Sequence, residues 1–88
     1  MVPRFAYAYV MKDEPDRVRA VAPLHAAYWH DLELPEYLGG PFGDRSGGLI
    51  TFEAEDGSVA RRLVDQDPFV REALLESSWL REWTPPRP

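Results

Sequence analysis

The first apolar stretch of the chain predicts a β-strand that is covered on both faces. Residues 4–11 are mostly aromatic, β-branched or small apolar residues, a composition that favours a pleated strand. Because the residues alternate, one face carries the large side chains of Phe5, Tyr7, Tyr9 and Met11. The other face carries the smaller side chains of Ala6, Ala8 and Val10. Because neither face is polar, we expect both to be buried.

A helical pattern follows the turn at residues 12–15 and is complicated by one proline. The pattern runs from Asp16 to about Glu33 and contains Pro23. Proline lacks the backbone N–H and disfavours helical conformation in the residue before it. We therefore expect a short turn of helix from Asp16, a kink or break near Ala22, and a second helix that begins at Pro23. Spacings of three and four residues place four side chains on one face of this second helix: His25, Tyr28, Trp29 and Leu32.

Two strand patterns follow the helix on either side of a glycine-rich loop. Residues 37–42 predict a short strand that is interrupted by Gly39-Gly40-Pro41, and residues 43–48 predict a loop. Residues 49–55 predict a third strand with two alternating sets, Ile50, Phe52 and Ala54 on one face and Leu49, Thr51 and Glu53 on the other.

The C-terminal third of the chain predicts two short helices and a last strand. Ser58 is the expected N-cap of the first helix. Asp67-Pro68 is an ordinary start for the second, with aspartate as the cap and proline at the first helical position. Residues 78–84 predict the last strand, with one face formed by Trp79, Arg81 and Trp83. Residues 85–88 predict a tail that is either flexible or in contact with a partner.

The order of the predicted elements is β-α-β-β-α-β, which is typical of the ferredoxin-like α+β fold. We expect a single domain over residues 1–88, with both helices on one face of a four-stranded antiparallel sheet. The opposite face then carries large apolar side chains without a cover. A homodimer through the open sheet face is the natural expectation, and a monomer with a partly exposed sheet is the alternative.

Composition and charge argue against several classes of protein. The chain has no cysteine, which excludes disulfides and thiolate metal sites and fits a reducing compartment. The net charge is −5 and the basic residues are scattered apart from Arg61-Arg62, so nucleic acid is not an expected partner. No apolar run approaches the roughly 18 residues of a membrane span, and the N-terminus has no signal pattern. We therefore expect a cytoplasmic protein without a membrane partner.

Of the two histidines, His25 has the more suggestive surroundings. It shares an apolar helix face, whereas His30 lies off that face and is expected to be solvated. Asp44 follows the unusual Gly39-Gly40-Pro41 segment and can return toward His25. A carboxylate within hydrogen-bond distance fixes the tautomer of an imidazole and raises its pKa, which would give a general acid/base pair. Asp44 can equally be a cap for the turn at residues 45–47, and the sequence leaves the two interpretations open.

The sequence contains no established cofactor motif. The spacings of phosphate-binding loops, dinucleotide fingerprints and metalloproteases are all missing. His25 with Asp44 offers too few ligands for a metal ion. We therefore expect neither a metal nor another cofactor.

Four short segments, spread in order over nearly the whole chain, are similar to the motifs of one family. They are Arg19 with Pro23-Leu24-His25 and Tyr28, then Gly40-Pro41-Phe42 with Asp44, then Asp67-Pro68-Phe69, and finally Arg81-Glu82-Trp83. In this set the chain resembles the YCII-related (YciI-like) family, within the dimeric α+β barrel group. Leu34-Pro35 departs from the glycine that the family usually has at the end of the first helix, and this change is expected to shift the pocket wall.

The resemblance implies a ferredoxin-like dimer with a pocket that holds a His–Asp dyad. Carried over to this chain, the dyad is His25 and Asp44. A few relatives act on chlorinated aromatic breakdown products by dehydrochlorination, a reaction that requires proton abstraction.

Two functions are consistent with these observations. The first is a small cofactor-independent enzyme, a lyase or isomerase for a small cyclic or aromatic molecule, in which His25 is the acid or base and Asp44 orients it. The residues expected to bind the substrate are Arg19, Tyr7, Tyr28, Trp29, Pro41 and Phe42. The second is a non-catalytic small-ligand-binding or interaction module, in which the dyad is a structural hydrogen bond.

Overall fold

Four strands and three helices follow one another in a single α+β arrangement. The computed structural model describes residues 2–86. The strands are β1 (Arg4–Met11), β2 (Leu38–Pro41), β3 (Gly47–Glu53) and β4 (Leu75–Trp83). The helices are α1 (Pro15–Asp31), α2 (Gly57–Asp65) and α3 (Pro68–Arg71). The predicted tail at residues 85–88 is described only as far as Pro86, and its last two residues lie outside the described part of the chain.

The strands form one antiparallel sheet in the order β2-β3-β1-β4. The central strands, β1 and β3, pair over most of their length, with Tyr7 opposite Ile50. The first and last strands of the chain are neighbours, which is the arrangement of the ferredoxin-like fold. The predicted fold class is therefore confirmed.

One face of the sheet forms the hydrophobic core beneath the helices. Phe5, Tyr7 and Tyr9 of β1 point into this core together with Ile50 and Phe52 of β3, and all five are buried. The helices contribute further buried side chains to the same cluster, namely Trp29, Ala60, Val64 and Phe69. Of the two alternating sets in each strand, the one with the larger side chains thus points inward. On the other face of β1, where burial is also expected, Ala6 and Ala8 are buried but Val10 is 37% exposed.

The opposite face of the sheet is not covered by a helix. Ala6 and Ala8 run along its centre, and Ala8 is flanked by Leu49 of β3 and Trp79 of β4. The larger residues on this face are substantially accessible to solvent, 47% for Trp79 and 41% for Trp83. The first strand therefore supplies small residues to the open face, and the last strand supplies the aromatic ones.

The predicted division into two helices at Pro23 is wrong, because α1 is continuous through this residue. Proline in a helix interior removes one backbone hydrogen bond and costs about 3 kcal/mol. Pro23 itself is exposed, while Val18 and Trp29, on either side of it, pack against the core. Packing on both sides of the proline holds the helix together, since most helical stability in proteins comes from the buried face.

Two smaller expectations about element ends also need correction. Asp56, rather than Ser58, is the N-cap of α2, since its carboxylate accepts a hydrogen bond from the Val59 N–H at 3.0 Å. Gly47 and Gly48 belong to β3 rather than to the preceding loop, because they pair with the end of β1.

Candidate active site

His25 and Asp67 form a hydrogen-bonded pair between α1 and the start of α3. Nδ1 of His25 lies 2.8 Å from Oδ1 of Asp67. Asp67 is the N-cap of α3 and is completely buried, and the His25 side chain keeps 13% of its surface accessible. The predicted capping role of Asp67 is confirmed, and the structure adds the imidazole as a second partner of the same carboxylate.

The buried carboxylate of Asp67 accepts hydrogen bonds from four donors. Oδ1 accepts from the Phe69 N–H at 2.9 Å as well as from His25, and Oδ2 accepts from Trp29 Nε1 at 3.1 Å and from the Tyr7 hydroxyl at 3.4 Å. Trp29 follows His25 by four residues, so one face of α1 presents both donors. These bonds offset the free energy that is otherwise lost when a charged group is buried.

The partners of the imidazole determine which nitrogen carries the proton. An ionised carboxylate can only accept, so the proton lies on Nδ1 of His25 and Nε2 presents a lone pair. Nε2 lies 3.2 Å from the hydroxyl of Tyr9, which is therefore the donor in this bond. Phe69 stacks on the imidazole at a centroid distance of 4.2 Å and fixes the plane of the ring.

The tyrosine hydroxyls around the pair are held in their protonated form. Burial raises the pKa of Tyr9 to about 12, and the negative charge of Asp67 and the neighbouring Tyr37 act in the same direction. Burial, followed by the charge of Asp67, also raises the pKa of Tyr7 far above its ordinary value. At neutral pH both phenols therefore remain hydrogen-bond donors.

His25 and Tyr9 line an open cleft of about 1020 Å³. Its apolar wall includes Ile50 and Phe69, and its other side is formed by the β2–β3 segment. Several polar or charged side chains of both signs also line it, namely Lys12, Asp13, Glu14, Arg19, Arg45, Ser46 and Glu76. A largely apolar cleft with a few polar groups is the usual form of a small-molecule site.

Asp44 lies in the turn between β2 and β3 and is not the partner of His25. Its carboxylate accepts a hydrogen bond from the backbone N–H of Ser46 at 3.0 Å, and the hydrogen bonds from Ser46 lower the pKa of Asp44. The side chain is fully exposed. The predicted pairing of His25 with Asp44 is corrected accordingly. Asp44 caps its own turn, as the alternative interpretation has it, and the carboxylate that reaches His25 is Asp67.

Of the six residues expected to bind the substrate, two line the cleft and four do not. Arg19 and Pro41 line the cleft, although Arg19 is exposed and pairs with Asp16 at 3.0 Å. Tyr7 and Trp29 are buried behind the cleft, where they hold Asp67.

Tyr28 and Phe42 also lie away from the cleft. The Tyr28 hydroxyl donates to the carbonyl of Leu63. Phe42 lies with Leu49 and Trp83 beside the open face of the sheet.

The sequence alone does not reveal the second role of Asp67 or the role of Tyr9. Tyr9 belongs to the inward face of the first strand, a position that on its own predicts only a core residue. Asp67 did stand among the motifs of the family resemblance, and that was the available signal.

The described residues contain no metal cluster and no membrane-spanning helix. Within residues 2–86, no three His, Cys, Asp or Glu side chains converge as ligands for one metal ion. No helix in the same range combines the length and the apolar character that crossing a bilayer requires.

Fold and site together define a ferredoxin-like α+β domain with a His–Asp pair at the edge of a cleft. The YCII-related domain matches residues 5–84, and the chain therefore belongs to the YCII-related family. The resemblance stated from the motifs is confirmed. No curated protein matches the sequence.

Among solved structures, the chain is similar to 5-chloro-2-hydroxyhydroquinone dehydrochlorinase from Burkholderia phenoliruptrix in complex with 2,5-dihydroxybenzoquinone. The sequence identity is 23% and the TM-score is 0.78, over 92% of this chain and 93% of that chain. A second match is the cofactor-independent oxygenase SnoaB from Streptomyces nogalater, with 16% identity and a TM-score of 0.57 over 98% and 94% of the two chains. At these identities the likeness establishes the fold.

Proposed function

We propose that the protein is a small enzyme that transfers protons on a small cyclic or aromatic molecule without a cofactor. The observation that carries the proposal is the 2.8 Å bond between His25 Nδ1 and the buried carboxylate of Asp67, at the edge of an open cleft. The bond directs the lone pair of Nε2 away from Asp67 and stabilises the imidazolium that forms when Nε2 takes a proton. Such general acid/base catalysis contributes about 10²–10⁴-fold in rate.

The lining of the cleft supports a flat, partly polar ligand. Ile50, Phe69 and Pro41 offer apolar surface to a ring. Lys12 and Arg45 offer positive charge to a hydroxyl or carboxyl group on that ring. One solved protein of the same fold is named as a dehydrochlorinase of a chlorinated hydroxyhydroquinone. We place the reaction in the same class, an elimination or an isomerisation that begins with proton removal.

The first test compares the wild type with His25→Asn on 5-chloro-2-hydroxyhydroquinone and on a panel of hydroxylated rings in D₂O. Chloride release reports elimination, and deuterium incorporation reports proton transfer. We expect His25→Asn to lose about 10²–10⁴-fold in rate. His30→Asn is the matched control, because His30 is exposed and paired only with Asp31. A wild type that binds these compounds but neither releases chloride nor exchanges protons contradicts the proposal, as does an equal rate in His25→Asn.

One observation favours a non-catalytic ligand-binding module as the second candidate. The lone pair of His25 Nε2 already accepts the hydrogen bond of Tyr9. A histidine with both nitrogens engaged can serve as a purely structural link between β1, α1 and α3. In that case 2,5-dihydroxybenzoquinone binds in the cleft and no deuterium enters any compound of the panel.

We further propose that two copies of the chain pair through the open sheet face. That face carries exposed Trp79, Trp83 and Leu49 beside a shallow trough along Ala6 and Ala8. Arg81 lies between the two tryptophans on the same face, opposite Ala6. Soluble proteins rarely leave several large apolar side chains uncovered on one face. The small alanines leave room for the large side chains of a second copy.

Equilibrium sedimentation at micromolar concentrations tests the pairing. The wild type is expected to be a dimer and Trp79→Glu a folded monomer, since a buried charge opposes association. Leu24→Glu is the matched control, because Leu24 is 61% exposed but lies on α1, away from the sheet. A monomeric wild type, or a Trp79→Glu variant that still pairs, overturns the proposed interface.

A further inference from the structure

The imidazole of His25 has no free nitrogen for a ligand. Nδ1 is bound to Asp67 at 2.8 Å and Nε2 to the Tyr9 hydroxyl at 3.2 Å. The three side chains form a continuous series of hydrogen bonds from a buried carboxylate to a phenol. Tyr9 and His25 both line the cleft, so a ligand in the cleft can reach the phenol at the end of the series.

The phenol of Tyr9 is closely packed in this position. Tyr9 is only 6% exposed, and its ring lies 5.2 Å from that of Tyr7 and 6.0 Å from that of Phe69, measured between centroids. Beneath the hydroxyl lies Gly48, where a Cβ would stand only 2.3 Å from the phenolic oxygen. The glycine leaves the space that the hydroxyl occupies. Direct contact between a ligand and Nε2 would require the Tyr9 hydroxyl to give up its hydrogen bond to this nitrogen.

On the basis of the proposed function, we propose that Tyr9 is the catalytic residue that touches the ligand, and that His25 exchanges protons with the ligand through the phenol. The ligand O–H bond breaks as its proton joins the Tyr9 oxygen. The original Tyr9 proton moves at the same time to Nε2 of His25. The products are a ligand oxyanion and an imidazolium beside the Asp67 carboxylate. The oxyanion then releases chloride or takes a proton from the solvent on a ring carbon, and the imidazolium gives its extra proton back through Tyr9 to the solvent. No oxidation or reduction by another molecule is involved.

This transfer of protons between ligand, Tyr9 and His25, called the relay below, favours a particular class of ligand. A phenolic oxygen exchanges protons readily with another oxygen that is hydrogen-bonded to it, so the ligand offers a hydroxyl or carbonyl oxygen on its ring. Phenols, enols and their keto tautomers have this property. Because burial raises the pKa of Tyr9 to about 12, a free phenolate is unfavourable at neutral pH, and the two proton transfers take place together.

Tyr9→Phe tests the relay, since it removes the hydroxyl and keeps the ring. We expect the rate of deuterium incorporation to fall to within a few-fold of that of His25→Asn. Binding of 2,5-dihydroxybenzoquinone, followed by its absorbance, should change less than about tenfold. The ¹⁵N signal of protonated His25 Nδ1 should persist, because the bond to Asp67 remains. Tyr28→Phe is the control, as it also loses one hydroxyl bond but lies away from the cleft.

The outcomes separate the relay from the proposed function. If Tyr9→Phe exchanges protons as fast as the wild type while His25→Asn does not, His25 contacts the ligand directly and the relay is overturned. If His25→Asn also retains the rate, the proposed function itself fails. If Tyr9→Phe does not fold, the ¹⁵N resonance of His25 Nε2 in the wild type tests the relay instead. On addition of 2,5-dihydroxybenzoquinone, the relay keeps Tyr9 as the partner of Nε2, whereas a ligand bonded to Nε2 would shift its ¹⁵N resonance and overturn the proposal.

Discussion

Asp67→Ala is expected to lower the free energy of unfolding by about 3–5 kcal/mol, because several buried donors lose their acceptor at once. The substitution leaves four donors without their common acceptor, among them His25 Nδ1 and Trp29 Nε1. Each buried donor without a partner costs about 1–3 kcal/mol. Because a domain of this size has only about 5–15 kcal/mol of stability, the variant should be close to unfolding at ambient temperature. Urea titration followed by circular dichroism measures the change.

Asp56→Ala is the matched control for this experiment. Asp56 also caps a helix, but it is exposed and accepts only from Val59 and Ser58. Loss of an exposed cap costs about 1 kcal/mol. If the two aspartates prove equally dispensable, Asp67 is a simple cap and the buried network around it carries little energy.

Gly47→Ala is expected to destabilise the protein by about 3 kcal/mol or more, because the added methyl group overfills a packed position. A Cβ at this position would lie 1.8 Å from the backbone carbonyl oxygen of Tyr9. The obstacle is backbone, so no side-chain rotation can relieve it. The strands β1 and β3 would have to separate where Val10 pairs with Gly47. Thermal unfolding measures the loss.

Gly40→Ala serves as the control, since within residues 2–86 no atom other than those of its chain neighbours lies within 4 Å of a Cβ at that position. Its effect should stay within about 0.5 kcal/mol, as for most surface substitutions. Similar melting temperatures for the two variants would show that the β1–β3 contact can open without cost.

The fold could be predicted because local patterns and global topology agree. The first strand has the same limits in the sequence pattern and in the structure, residues 4–11, since its alternation has one large apolar face for the core. Pro23 shows where local reasoning fails. The rule about proline is correct for an isolated helix, but packing of α1 on both sides of the residue outweighs it.

The partner of His25 could not be found from spacing alone. Asp44 and Asp67 are both turn or cap residues, and each has a sufficient local explanation. What distinguishes them is the position of α3 beside α1, which brings a residue 42 places along the chain to the imidazole. The role of Tyr9 could not be predicted either, because nothing around it in the sequence suggests a polar contact. Its neighbours in the strand are all apolar or aromatic, and only the structure shows that its hydroxyl meets Nε2.

Asp67 both caps α3 and holds His25, and this double role limits which substitutions can alter the ligand specificity of the cleft. One wall includes His25 and Tyr9, and their hydrogen bonds connect it to the buried Asp67, so substitutions there change the proton-transfer groups themselves. The facing wall consists of exposed residues such as Pro41, Arg45 and Ser46. New ligand preferences can therefore be selected on that side alone, and a mutagenesis library confined to it would vary specificity while leaving the proton-transfer groups intact.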